Sequence, residues 1–256
     1  MASPANAGEL SGRVALVTGA SRNIGRAIAL ALAQGGAAVA VNARASRAEA
    51  EAVAVAITAA GGAAEVLLAD VAEEEAVARM VAATVARFGR LDFLINNAGI
   101  RQEAPVGEMS LAQWRGTLAT ILDGAFLCTR AALPHLRASN AGAIVNIGGM
   151  TAQTGAKLRA HVVAAKAGIE GLTRALALEL AADGITVNCV APGLIDTVRD
   201  SASAGSAAHH AGRVYPLGRR APPGDVARMV RHLCGPDARF VTGQVIHING
   251  GTYLGG

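Results

Sequence analysis

Residues 14–25, Val14-Ala15-Leu16-Val17-Thr18-Gly19-Ala20-Ser21-Arg22-Asn23-Ile24-Gly25, run from a short apolar segment straight into a glycine-bearing loop, and a helical pattern follows to Gln34. A strand, a tight turn and a helix in that order is the context in which such a loop carries information. Glycine at 19 lets the backbone turn sharply. Gly25 lets the helix pack close to the strand, with its free N–H groups facing an anion such as a pyrophosphate. Taken alone, the loop also fits a plain strand-to-helix connection.

Working outward, short β-branched runs alternate with longer helical patterns. Val14 to Val17, Ala38 to Val41, Ala64 to Leu68, Leu91 to Ile95, Ala143 to Ile147, Thr186 to Val190 and Val245 to Ile248 read as strands. Ile24 to Gln34, Arg47 to Ala60, Glu73 to Phe88, Leu111 to Leu136, Ala160 to Ala182 and Gly224 to Leu233 read as helices. This rhythm predicts an α/β chain: a seven-stranded parallel sheet, doubly wound with helices on both faces, in a single domain over residues 1–256. No connection reads as an interdomain linker. Residues 1–9 are expected to form a flexible N-terminus. The small, polar stretch from Asp200 to Gly212 breaks the rhythm, so residues 196–213 are expected to form a lid.

Of the 256 residues, 52% are hydrophobic but only 3% aromatic (four Phe, two Tyr, one Trp), so the core must be built from Ala, Val, Leu and Ile. That hydrophobicity excludes a disordered chain. No window of about 18 residues stays apolar without a charged or polar break, which argues against a membrane span. Cys128, Cys189 and Cys234 lie far apart in apolar runs and are expected to be buried free thiols in a reducing compartment. Neither a disulfide framework nor metal-ligand spacing is present. Met1 to Leu10 lacks a basic segment followed by an apolar one, which points to the cytoplasm. The net charge of +4 comes from cations scattered singly or in pairs, without the basic stripe or stacking aromatics that nucleic acid requires. A local basic site for a phosphate stays open.

Several spaced motifs then occur in order: Thr18-Gly19 with Gly25, Asp70-Val71 after the third strand, Asn96-Asn97-Ala98-Gly99 after the fourth, Lys166 in a long helix, and Pro192-Gly193 after the sixth strand. Together they resemble the short-chain dehydrogenase/reductase family over nearly the whole chain, and in detail its β-ketoacyl carrier-protein reductase branch. The resemblance implies a Rossmann-type fold, a small-molecule substrate and a homo-oligomer, dimer or tetramer, formed through the long helices and the C-terminal strand. It also implies a nicotinamide cofactor held by Gly19, Ser21, Arg22, Asn23, Ile24 and Gly25 around the phosphates. Asp70 and Val71 would hold the adenine and Asn97, Ala98 and Gly99 would line the cleft. Pro192, Gly193, Ile195 and Thr197 would approach the carboxamide, and Lys166 would hold the nicotinamide ribose.

Two features select the cofactor. An NAD enzyme would carry an acid after the second strand for the ribose hydroxyls, whereas this chain has Asn42-Ala43-Arg44. Arg22 and Arg44 together could grip a 2′-phosphate, so NADP(H) is expected; the competing reading is two solvated surface charges. Asn23 replaces the loop's middle glycine, and Asn tolerates a left-handed backbone best among the other residues.

The catalytic positions implied by the resemblance are mostly missing. The family's reductases use a Tyr acid four residues before the Lys, a Ser thirteen before that Tyr, and an Asn. Here those positions hold Val162, Gly149 and Ile121, and only Lys166 remains. Losing a general acid costs about 10²–10⁴ in rate, so ordinary ketone reduction by the family route should be severely impaired. His161 is the nearest titratable neighbour and a candidate catalytic group. However, residues five apart on a helix lie about 140° apart, so it should not share a face with Lys166. Arg101, Gln102, Gln153, Lys157, Arg159, the pair His209-His210 and Lys166 itself are alternatives, most with a plain surface reading. The apolar replacements should leave a larger, drier pocket. The sequence therefore reads as an atypical NADP(H)-dependent oxidoreductase. The alternative is a non-redox enzyme, or an inactive NADP(H)-binding protein on the same scaffold.

Overall fold

The strands are β1 (Val14–Val17), β2 (Ala38–Ala43), β3 (Ala64–Leu68), β4 (Phe93–Asn96), β5 (Ala143–Ile147), β6 (Thr186–Pro192) and β7 (Val245–Ile248). They form one seven-stranded sheet in the order β3-β2-β1-β4-β5-β6-β7, parallel at every pairing. The helices are α1 (Asn23–Gln34), α2 (Arg47–Ala59), α3 (Glu74–Phe88), α4 (Leu111–Leu118), α5 (Gly124–Arg137), α6 (Thr151–Thr154), α7 (Ala160–Glu179) and α8 (Pro223–Cys234). This computed structural model describes residues 8–197 and 215–255.

Alternation along the strands makes the sheet two-faced. Ala15, Val17, Val39, Val41, Phe93, Ile95, Val145 and Val190 join a core with Ile28 and Leu32 of α1, Val53 and Ile57 of α2, and Val226 and Val230 of α8. Val14, Leu16, Ala40, Leu94, Ile144 and Val187 face the other way, onto Val77 and Met80 of α3, Cys128 and Leu136 of α5, and Ala177 of α7. Both faces are apolar because both are covered, as a parallel sheet requires. The chain reverses winding direction between β1 and β4, so a crevice opens beyond their carboxyl ends. All three cysteines are free and buried.

Four details depart from the sequence reading. The helix expected from Leu111 to Leu136 is two helices joined by a π-helical turn, Ala119–Asp123. Gly124 passes Val71 so closely that an added Cβ would stand 2.8 Å from Cγ2, and the Thr120 hydroxyl bonds back to Gly116 O at 3.0 Å. Such wide turns recur at functional sites, and this one carries Ile121. The fourth strand starts at Phe93 rather than Leu91, because Asp92 is spent as a buried hub. Its carboxylate accepts from Arg90 (2.6 and 2.8 Å), Ser139 (2.5 Å) and the Val14 N–H (2.9 Å). The helix carrying Lys166 ends at Glu179 and gives way to a 3-10 turn, Ala181–Asp183. The short helix α6 stands in a stretch read as loop.

At the N-terminus, Glu9 forks onto Arg231 at 2.5 and 2.7 Å and Leu10 is buried; residues 1–7 of the expected flexible end lie outside the described residues. Of the expected lid, Asp196 and Thr197 are described, and 198–213, with His209 and His210, lie outside. Among the described residues, no helix is long and apolar enough to cross a membrane, and no group of three His, Cys, Asp or Glu could hold a metal.

Candidate active site

The loop after β1 is shaped by close backbone approach. Gly19 has φ +60° and Asn23 has φ +52°, the left-handed geometry that an asparagine tolerates. At Gly25 an added Cβ would stand 2.2 Å from Gly19 O and 2.5 Å from Asn97 Nδ2, so only glycine lets α1 start there. Asn97 locks the loop from the next strand, donating from Nδ2 to Thr18 O and Gly19 O, each at 2.9 Å. The Thr18 hydroxyl accepts from the Asn97 and Ala98 N–H groups at 2.9 and 3.0 Å. Asn97 and Ala98 therefore stand beside Gly19 and Gly25, with Ser21 and Ile24 part-buried between them and Arg22 exposed.

Asn42 proves to be structural. It accepts from Gly19 N at 3.1 Å and donates to Leu67 O and Ala69 O at 3.2 and 3.1 Å, stitching the loop to β2 and β3. Arg44 lies exposed just past β2. Asp70 turns its carboxylate onto Ala72 N at 3.0 Å, while Val71 is buried against Gly124. Across the crevice, Gly193 meets Asn249 so tightly that an added Cβ would stand 2.7 Å from the Asn249 Cβ. Met150 N donates to Pro192 O at 3.0 Å, Ile195 bridges Ala221, and Thr197 accepts from Arg101 Nη1 at 3.0 Å.

Lys166 reaches into the same crevice. Its Nζ donates to Ile147 O at 2.5 Å and stands 3.9 Å from where a Cβ on Gly99 would be. Burial brings its ammonium down to about 8; Cys189 opposes the fall, and Arg101 and Arg159 add to it. Gly149 lies alongside: an added Cβ would meet only Thr151 Oγ1 at 3.8 Å and Lys166 Cγ at 3.9 Å. Ile121 and Val162, each buried, belong to one apolar cluster with Ala125, Ala165, Ile169 and Cys189. His161 is fully buried with neither ring nitrogen hydrogen-bonded; burial, then the charge of Arg159, lowers its basicity.

A family profile described as "Enoyl-(Acyl carrier protein) reductase" matches residues 19–253. A 3-oxoacyl-(acyl-carrier-protein) reductase, FabG, of Staphylococcus aureus (strain Mu50) is 42% identical over 240 residues, 94% of this chain and 98% of that protein. The chain belongs to the short-chain dehydrogenase/reductase family. A dehydrogenase/reductase from Sinorhizobium meliloti 1021 superposes with a TM-score of 0.90 at 38% identity, covering 96% of each chain. A short-chain dehydrogenase from Burkholderia cenocepacia J2315 in complex with NADP superposes with a TM-score of 0.89 at 36% identity, covering 95% of this chain and 99% of that one.

Within this short-chain dehydrogenase/reductase, the fold gathers Gly19, Gly25, Asn97, Ala98, Gly99 and Lys166 along one crevice, with Arg22 and Arg44 on the rim beside the loop. Sequence reasoning missed Thr151 and Glu170, and the structural role of Asn42. Glu170 lies one turn after Lys166 on α7, buried, with Oε1 unpartnered and Oε2 accepting from Gln153 Nε2. Burial raises its carboxyl pKa, against the pull of Arg174 and Gln153. The spacing of four from Lys166 was the available signal. Both tyrosines lie elsewhere along the chain: Tyr253 packs edge-on against His247 with ring centroids 5.0 Å apart, and Tyr215 caps a turn through its carbonyl to Gly218 N at 2.7 Å.

Proposed function

We propose that this chain is an NADP(H)-dependent oxidoreductase that moves hydride to or from a small or medium organic substrate without a tyrosine acid. The observation that carries the reading is the alignment, in one crevice, of a tight backbone loop at Gly19 to Gly25 and a half-buried lysine tied to the end of β5. The residues fit the cofactor. Gly25 lets the start of α1 pack against Gly19 O and Asn97 Nδ2, closer than any side chain would allow, in the tight loop that presents a helix N-terminus to a pyrophosphate. β2 ends without an acid, and Arg22 and Arg44 are exposed beside it to meet a 2′-phosphate. Gly19, Ser21, Asn23, Ile24 and Gly25 then surround the pyrophosphate, and Asp70 and Val71 the adenine. Asn97, Ala98 and Gly99 line the cleft wall, and Pro192, Gly193, Ile195 and Thr197 face the carboxamide. The Burkholderia relative in complex with NADP supports the choice of cofactor.

Bound there, the cofactor supplies the hydride. Ile121, Gly149 and Val162 offer no proton, so Lys166 is the donor at the oxygen of a carbonyl substrate, as well as the anchor of the nicotinamide ribose. Its ammonium, brought down to about 8, gives up a proton more readily than an ordinary lysine. His161, sealed from solvent, has a packing role in this reading.

The test is NADPH consumption, followed by absorbance, against ketones, imines, quinones and activated alkenes. Turnover on any class supports the reading. Tight NADPH binding without turnover favours the second reading, a non-redox enzyme or a protein that holds NADP(H) without reacting. The apolar packing of Ile121 and Val162 supports that alternative. Failure to bind NADPH rejects both.

We also propose a homo-oligomer, dimer or tetramer. Phe126 of α5, Leu178 of α7, and Phe240 and Leu254 near the C-terminus are large apolar side chains left exposed on the long helices and the chain end. Light scattering on the purified protein reads the mass directly; a monomer rejects the assembly. Three buried free thiols fit a cytoplasmic setting.

A further inference from the structure

We infer that Thr151 supplies the hydroxyl that position 149 lacks, its Oγ1 donating to the carbonyl oxygen of a ketone substrate beside Lys166. The inference deepens the proposed function and rests on reading the Lys166 end of the crevice as the reacting end.

Gly149 lies in the link after β5, and Thr151 begins α6 two residues later. A Cβ added at Gly149 would meet Thr151 Oγ1 at 3.8 Å and Lys166 Cγ at 3.9 Å. The threonine hydroxyl therefore borders the space that a side chain at 149 would take, and the lysine stem borders the same space. Thr151 is half-buried, whereas Ile121 and Val162 are sealed into their apolar cluster.

That hydroxyl is uncommitted. Helical threonines elsewhere bond back to the carbonyl four residues before them: Thr58 to Ala54 O at 3.1 Å, Thr84 to Met80 O at 2.9 Å, and Thr173 to Ile169 O at 2.8 Å. The residue four before Thr151 is Ile147, a strand residue whose carbonyl accepts from Lys166 Nζ instead. Among the described residues, none hydrogen-bonds the Thr151 hydroxyl. It is free to turn its proton toward an incoming acceptor.

Three bonds hold Thr151 in place. Met150 N donates to Pro192 O at 3.0 Å, tying the preceding residue to the end of β6, and Gly155 N donates to Thr151 O at 3.0 Å, closing the turn of α6. Gln153 Nε2 donates to Glu170 Oε2, fastening α6 to a buried residue of α7 one turn beyond Lys166. Thr151 Oγ1 and Lys166 Nζ are thus carried by two elements bonded to each other. Donors fixed in this way need no rearrangement as charge develops on the substrate oxygen.

The chemistry balances. Hydride from the reduced nicotinamide adds to the carbonyl carbon, the C=O π pair moves onto oxygen, and Lys166 gives that oxygen its proton, which solvent later restores to the amine. Thr151 keeps its own proton and steadies the oxygen through a hydrogen bond that strengthens as negative charge grows. The apolar wall of Ile121, Val162 and Ala125 suits a ketone with an apolar body and strengthens the bond by lowering the local dielectric.

The test reads the bond itself as well as turnover. Acetophenone, isotope-labelled at its carbonyl, is titrated into the parent, Thr151→Val and Gly149→Ser/Thr151→Val proteins, with and without NADP⁺. Difference infrared spectroscopy follows its carbonyl stretch. The bound band should lie lower in the parent than in the valine variant. The double variant should lower it again, because its serine returns a hydroxyl to the same space. With NADPH, Thr151→Val should lose about 10²-fold in kcat while KM moves by less than about tenfold, and Thr151→Ser should recover most of that loss. NADPH affinity and circular dichroism should be unchanged in the valine variant. An identical band in the parent and the valine variant, a double variant indistinguishable from the valine variant, or no saturable acetophenone binding would each overturn the inference. A band that shifts as expected in a protein that fails to bind NADP⁺ would reject the proposed function alone.

Discussion

Lys166 Nζ donates to the carbonyl oxygen of Ile147 at 2.5 Å, so the long helix α7 is pinned to the carboxyl end of β5 at the point where the crevice opens. The bond holds the Lys166 ammonium in place at the reacting end. It also fixes the spacing between the helix and Gly149, two residues after Ile147. With the lysine ammonium lowered to about 8, carbonyl reduction should fall as pH rises through about 8, because the donor loses its proton. Lys166→Met should lose roughly 10²-fold or more in kcat. A pH–rate profile of NADPH oxidation reads both; a flat profile from pH 7 to 9 removes lysine as the donor.

Arg44 should distinguish the two nicotinamide cofactors. Arg44→Ala is expected to weaken NADPH binding by about tenfold to a hundredfold, the range for a lost charge-assisted hydrogen bond, and to leave NADH binding nearly unchanged. Fluorescence titration with each cofactor measures the difference. Equal weakening of both would place Arg44 outside the 2′-phosphate site.

Space for a restored site exists at Gly149, where an added Cβ makes only ordinary contacts with Thr151 and Lys166. The combined change Ile121→Asn, Gly149→Ser and Val162→Tyr should raise ketone reduction by about 10²-fold or more over the parent. Of the three, Ile121→Asn carries the main risk, because Ile121 is packed into an apolar cluster and an amide there must find partners. Circular dichroism checks the fold of the triple variant. A well-folded variant with no gain would show that the rest of the scaffold is not competent.

Asp92 should matter for stability rather than activity. Burial works against its charge, but the bonds from Arg90, Ser139 and Val14 N–H win and hold the carboxyl below the usual range. A depressed carboxyl contributes stability that is present above its unfolded pKa and lost as pH falls through the folded one. Asp92→Asn should therefore cost about 1.5–3 kcal/mol at neutral pH, read by urea unfolding, with the difference from the parent shrinking only in strong acid. A neutral effect at pH 7 would refute the hub.

His161 should make the protein sensitive to mild acid. Its folded pKa lies below 6.5 because it is buried beside Arg159, so below pH 6.5 the unfolded chain takes up a proton that the folded one refuses. Stability should drop as pH falls from about 6.5 toward 5, and His161→Met should flatten that slope while leaving turnover at pH 7 unchanged. Melting temperatures across the range decide the first point. A turnover loss in the methionine variant would instead return His161 to the chemistry.

The order of strands and helices was legible because hydrophobic period alone sets it: Val14 to Val17 and the runs like it can bury both faces only in a covered parallel sheet. The glycine loop was legible for a related reason, since Gly19, Asn23 and Gly25 are the residue types that its backbone angles and close approach permit. The break of the Leu111 to Leu136 helix was not, because it depends on Val71, a residue some fifty positions away, pressing on Gly124. Asn42 looked like a vacancy for an acid, and its work as a three-way tie appeared only once β3 lay beside it.

The residue types Ile121, Gly149, Val162 and Lys166 were set by sequence alone, and with them the expectation that the chain works without a tyrosine acid. Tertiary structure decided what surrounds them. Ile121 and Val162 close into one apolar cluster, Glu170 is buried a turn from Lys166, and the bond from Ala104 N to Leu158 O ties the loop after Gly99 to the start of α7. The reason is physical: local pattern fixes which side of an element is apolar, whereas burial and contact depend on distances between segments far apart in the chain.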